Sequence, residues 1–140
     1  NATRNALEEG IVPGGEVALL RASLELEKLK ADGDERRGVE VVRQALQEPI
    51  KVLAQNAGYG PNEVVANVVA LMRQGARNHG FDASDGNYKD IVKAGIIDPL
   101  KVVRAALRNA AAVTGTLLNA EAVVTDTEVD VEQKRGIIKN

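Results

Sequence analysis

The sequence contains no cysteine and no tryptophan, and only one phenylalanine, two tyrosines and one histidine among 140 residues. Without cysteine there are no disulfides, no thiolate chemistry and no cysteine-based metal centre. With His79 as the single histidine, a paired-histidine metal motif and a Ser/His/Asp set are both missing, as is a glycine-rich loop ending in Lys-Ser/Thr. Few aromatics means few stacking platforms, and 18 basic against 20 acidic residues leave a net charge of −2. A nucleic-acid partner is therefore not expected, since such binders carry a basic excess. No apolar run reaches the roughly 20 residues of a membrane span, and no basic-then-apolar leader opens the chain, so no membrane partner is expected either.

What is present describes one ordinary domain with an aliphatic core. The hydrophobic share is 44% and the charged share 27%, a balance typical of globular proteins. The chain opens at Asn1 inside a helical pattern, without an initiator methionine, and reads as an excised piece.

Helical periodicity dominates. A first helix over Ala2 to Glu9 is stopped by Gly10, and the tight turn Ile11-Val12-Pro13-Gly14-Gly15 leads into a second helix from Glu16 to Lys30. Ala31 to Arg37 reads as a solvated loop. A third helix carries Val39, Val42, Leu46, Pro49 and Leu53 as one stripe, with Pro49 expected to bend it. Asn56-Ala57-Gly58 ends that helix, and Gly60-Pro61-Asn62 starts another that turns Val65, Val68, Val69 and Met72 inward. Beyond Asn78 the period changes, and Ser84-Asp85-Gly86-Asn87 between short extended pieces signals a hairpin. Asp98-Pro99 reads as a helix cap with proline in the first turn. The long helix that follows lines Val102, Val103, Ala106, Ala110, Val113 and Leu117 for a close helix contact. Ala122 to Thr125 is a short β run, and the last residues form a charged tail. The fold class expected is mainly α, a helical bundle with a small β-hairpin and a short C-terminal strand.

Two loops could meet a ligand. Pro13-Gly14-Gly15 precedes a helix, where bare glycines let a phosphate or sugar approach backbone N–H groups. Asp98 could bond a ribose hydroxyl or simply cap its own helix. Taken singly, each reads first as structural. Asp82, Ser84, Asp85 and Asn87 around Gly86 resemble a calcium loop only faintly, because the loop would begin at Phe81 and has no glutamate at its twelfth position. His79 reads as a surface loop residue.

The order of the pieces adds more than any of them alone. Ala2-Thr3-Arg4, Glu8-Glu9-Gly10-Ile11-Val12-Pro13-Gly14-Gly15 and Val17-Ala18-Leu19, in that order, strongly resemble the group I chaperonins, the Hsp60 or GroEL type. Gly80-Phe81-Asp82-Ala83, Tyr88, Gly95-Ile96-Ile97-Asp98-Pro99 and Lys101-Val102-Val103-Arg104 resemble the same family's late nucleotide-contacting segment, and Ala120 to Asp126 its final strand. The resemblance implies that residues 1–126 are the C-terminal part of an equatorial, ATP-binding domain and 127–140 a charged, flexible tail. By motif match, Gly15 approaches the nucleotide while Gly14 shapes the turn. Asp82, Ala83 and Ser84 lie by the adenine, Ile96 packs on the base, and Asp98 holds the ribose.

For the full-length parent the resemblance implies an ATPase that folds proteins, using ATP or ADP with magnesium. Its partners would be homo-oligomeric ring subunits, unfolded protein substrates and a co-chaperonin engaged by an apical domain. The compartment would be the cytoplasm of a bacterium, or alternatively a mitochondrial matrix or plastid. The family's catalytic aspartate, phosphate loops and magnesium ligands match nothing in these residues, so the piece alone is expected to be inactive and to have no catalytic or metal-binding residue. The alternative for the isolated chain is a non-catalytic helical self-association module. Two departures stand out. Glu16 replaces the family's third glycine after Pro13, and Asp82-Ala83-Ser84 stands where Asn-Ala-Ala or Asp-Ala is common. Glycine-glycine-methionine repeats are absent from the tail.

Overall fold

A computed structural model describes Ala6 and residues 8–120. Ala6, Glu8 and Glu9 close a helical turn, and Gly10 ends it as expected, with φ +85° and its N–H donating to the Ala6 carbonyl at 2.9 Å. Then follow β1 (Ile11–Pro13), α1 (Val17–Leu26), α2 (Gly33–Ala45), α3 (Glu48–Asn56), α4 (Pro61–Arg73), β2 (His79–Asp82), β3 (Asn87–Asp90), β4 (Ile97–Pro99) and α5 (Leu100–Leu118). The strands form two antiparallel pairs, β1 with β4 and β2 with β3. The expected mainly helical class with a small hairpin is what the chain adopts. The short run from Ala122 to Thr125 and the boundary at 126/127 lie outside the described residues.

The chain divides into two compact units, Asn1–Arg104 and Ala105–Asn140. The core of the first is aliphatic apart from one ring. Val17 and Leu20 of α1, Ile50 and Ala54 of α3, Val64, Val65, Val68 and Met72 of α4, and Phe81 and Ile91 form one cluster. Valine is a poor helix former, yet α4 buries three of its four valines, so packing overrides propensity. Ser23 is fully buried on α1 and its hydroxyl donates to the Leu20 carbonyl at 2.7 Å, which removes the desolvation penalty.

Several expectations are corrected. Asp34 to Arg37 belong to the first turn of α2 and not to a loop, because Asp34 and Glu35 suit a helix N-terminus and Asp34 pairs with Arg37 one turn on. Pro49 does not bend a continuous helix. Without an N–H it cannot bond the carbonyl four residues back, so α2 ends and Pro49 sits in the first turn of a new helix, α3. The restart breaks the proposed stripe: Leu46, Ile50 and Ala54 are buried, while Val42 is 49% exposed. α5 buries none of its residues, so the expected close helix contact along Val102, Val113 and Leu117 is not made among the described residues. His79 lies in β2, opposite Asp90 and partly buried, and is not a loop residue.

Candidate functional site

The site is organised by β1 and β4, which are distant in sequence. Ile11 faces Pro99, Val12 faces Asp98 and Pro13 faces Ile97. Asp98 is therefore a strand residue and not the helix cap foreseen, because a partner strand supplies its backbone with bonds that a cap would otherwise provide. The helix starts at Leu100, whose N–H donates to the Gly10 carbonyl at 3.1 Å. Ion pairs from Lys101 to Glu8 and from Arg104 to Glu9 tie α5's first turns to the segment before β1.

The turn after β1 then closes on β4. The Gly14 N–H donates to the Ile96 carbonyl at 3.0 Å, and a Cβ on Gly14 would sit 3.1 Å from that carbonyl and from the Ile96 side chain. Only a residue without a side chain makes this approach without displacing Ile96. Gly15 has φ +60°, a conformation glycine adopts without strain, and its bare face meets the Phe81 carbonyl. Gly14, Gly15, Ile96 and Asp98 are thus gathered in one place, and the Phe81 contact brings the root of the hairpin to it.

Asp82, Ala83 and Ser84 lead from that root into the hairpin turn. Asp82 pairs with Asn87 across the ladder. Its carboxylate accepts from the Ser84 N–H at 2.9 Å, the Ser84 hydroxyl at 2.6 Å and the Lys89 ammonium at 2.8 Å. The Lys89 hydrogen bond, followed by those from Ser84, lowers the Asp82 pKa to about 2. Lys89 also bonds Asp85 and lowers its pKa. The two carboxylates of the faint calcium pattern are therefore met by an ammonium group. Ala83 packs against the core.

Sequence reasoning missed two features. Tyr59, in the α3–α4 junction, lies over Gly86, leaving no room for a side chain there, and its ring meets Phe81 edge-on with centroids 5.0 Å apart. Phe81 in turn contacts Tyr88, whose hydroxyl accepts from the Asn67 amide. All three aromatic residues of the chain thus brace one hairpin, and Asp85-Gly86 was the only signal for it. The second is Glu16. Its departure from glycine was visible, but its backbone was not: φ is +64°, the only positive value at a non-glycine among the described residues. Its partly buried carboxyl makes no cap bond, and its pKa is raised by burial and then by the Asp98 charge.

No group of three or more His, Asp or Glu side chains able to hold a metal occurs among the described residues. A cleft of about 550 Å³ opens beside β1, lined by Pro13, Arg21, Leu24, Met72, Arg73 and Arg77 among others, and none of the seven candidate residues lines it.

Comparison with known proteins bears on what this arrangement is. The model of the TCP-1/cpn60 chaperonin family matches residues 1–128. The chain is 52% identical over 127 residues to chaperonin CPN60-like 1, mitochondrial, of Arabidopsis thaliana, covering 90% of this chain and 21% of that protein. It therefore spans about a fifth of that curated relative. Among solved structures, a group III chaperonin in the open state superposes with a TM-score of 0.80 at 32% identity, over 86% of this chain and 25% of that one. An open-state monomer of a group II chaperonin from Methanococcoides burtonii gives 0.73 at 26% identity, over 79% and 28%. The fold matches that of a chaperonin equatorial domain.

Proposed function

Because this chain belongs to the TCP-1/cpn60 chaperonin family, we propose that it works within a longer protein as the nucleotide-contacting part of an equatorial domain in an ATP-driven, group I protein-folding chaperonin. Residues 1–126 form that part and 127–140 a charged tail. Gly15 offers bare backbone to the ligand, and Gly14 holds the turn against Ile96. Ile96 packs on the base, Asp82, Ala83 and Ser84 flank the adenine, and Asp98 accepts from the ribose. The observation that carries this reading is the seating of Gly14 on the Ile96 carbonyl, which joins the bare turn to the strand of Asp98.

The parent's ATPase activity, ring assembly, unfolded substrates and co-chaperonin are part of the same proposal. Magnesium would neutralise phosphate charge in ATP hydrolysis, but the described residues do not fit it, and no hydrolytic step is assigned to them. Their part is to bind and orient the nucleoside end. The mitochondrial name of the Arabidopsis relative supports an organellar compartment; the bacterial counterpart would be cytoplasmic.

Titration of this chain, followed by amide chemical shifts, tests the assignment. Adenosine and ATP are expected to bind about equally weakly, shifting Gly15, Ser84 and Asp98, with no ATP hydrolysed. Tight ATP binding that requires magnesium, or shifts confined to other residues, would overturn it.

One observation favours a second role for the isolated chain, as a self-associating helical module. Val102, Leu107, Val113, Leu117 and Leu118 of α5 are all exposed, and exposed apolar faces drive association. Sedimentation showing a monomer at all concentrations would exclude it.

A further inference from the structure

Three unfavourable circumstances meet at Glu16. Its backbone occupies the left-handed region that costs an ordinary L-residue free energy. Its carboxyl is partly buried, which disfavours the charged form. Asp98 is near enough for its negative charge to disfavour that form further. No hydrogen bond, cation or cap interaction compensates among the described residues. Asp82, one loop away, shows what a settled carboxylate looks like in this protein, with three donors on its two oxygens.

Strain of this kind persists where surrounding structure holds it, and it concentrates at ligand sites. Gly15, immediately before Glu16, and Asp98 are both in the proposed nucleotide site, and a ribose carries two neighbouring hydroxyl donors. We propose that Glu16 is a specificity-determining residue of that site, accepting one hydroxyl of a ribose cis-diol while Asp98 accepts the other. This rests on the nucleotide reading above and deepens it. One carboxylate can select for a sugar hydroxyl, whereas two on facing segments select for the intact diol. A glycine here would leave the second hydroxyl to water. A ligand with a phosphate at the 2′ or 3′ position would meet two negative charges and be rejected.

The experiment compares adenosine, 2′-deoxyadenosine and 3′-deoxyadenosine on the 140-residue chain by chemical-shift titration. Loss of a hydrogen bond to a charged group weakens binding by about tenfold, so each deoxynucleoside is expected to bind about tenfold more weakly than adenosine. In Glu16→Gly, which also relieves the backbone, one of the two penalties should vanish and the other remain. Glu16→Gln, which keeps an acceptor oxygen, should retain part of both. Amide shifts of Gly80 and Phe81 that match the unaltered chain would show that the turn is intact. If Glu16→Gly penalises both deoxynucleosides as before, or weakens all three ligands equally, Glu16 does not read the diol. If adenosine itself leaves Gly15 and Asp98 unshifted in the unaltered chain, the nucleotide reading falls and the diol clamp with it.

Discussion

Asp82, at the head of the β2–β3 hairpin, accepts three hydrogen bonds and has its pKa lowered to about 2, whereas Glu16, in the turn after β1, accepts none and has its pKa raised. The strand pairs around them differ in the same sense. The hairpin joins neighbouring segments and is braced by its own side chains: an ammonium shared by two aspartates, and three aromatic rings in contact. The β1–β4 pair joins distant segments through three residues a side, and it is held by backbone bonds and the bare face of Gly14. One structure is stable because its groups are satisfied. The other brings backbone and carboxylates together and leaves one of them unsatisfied, the condition of a surface that awaits a ligand.

The comparison can be broken most severely at Phe81. Its ring is 1% exposed and touches both tyrosines, so Phe81→Ala should cost about 3–5 kcal/mol. That is a large part of a usual margin of about 5–15 kcal/mol. A melt within a degree or two of the unaltered chain would show that charge alone holds the hairpin.

At the other pair, Gly14→Ala pushes a methyl against the Ile96 backbone. An overpacked site of this sort costs about 1–3 kcal/mol. Amide shifts should change at Ile97 and Asp98 while Asn87 to Lys89 stay in place. Equal disturbance of the hairpin would mean that the two pairs form one cooperative unit.

A smaller effect separates the carboxylates by pH. The Asp82 pKa is lower in the folded state than its ordinary value of 3.8, so its stabilising contribution is present above pH 3.8 and is lost as pH falls towards about 2. Glu16 has the opposite sign: its raised folded pKa makes its contribution greatest below its ordinary 4.5, and that contribution is lost as pH rises through the raised value. Following the Ser84 amide on acidification should show a step near pH 2 that Asp82→Asn removes. A step near 4 would show that Lys89 and Ser84 do not hold the carboxylate.

The helices α1, α4 and α5, the Gly10 stop, the Pro61 start and the hairpin were legible in order and in approximate extent, because each is written in local signals: apolar spacing, a glycine or proline at an end, Asp-Gly in a turn. Pro49 misled. The same missing N–H can bend a helix or begin a new one, and spacing alone does not say which. The seven candidate residues were legible as a motif set, yet nothing local showed that Asp98 is a strand residue or that Glu16 lies beside it.

By itself, then, the sequence determined an aliphatic, mainly helical chain, its helix ends and the glycine turn of a chaperonin-family segment. These depend on periodicity and on the conformational range of single residues, which adjacent residues suffice to specify. Only the tertiary structure decided that β1 pairs with β4, that Gly14 rests on Ile96, and that Glu16 is held in a left-handed conformation beside Asp98. Each of those is a meeting of segments far apart in the chain, settled by which backbone groups find partners once the core has closed.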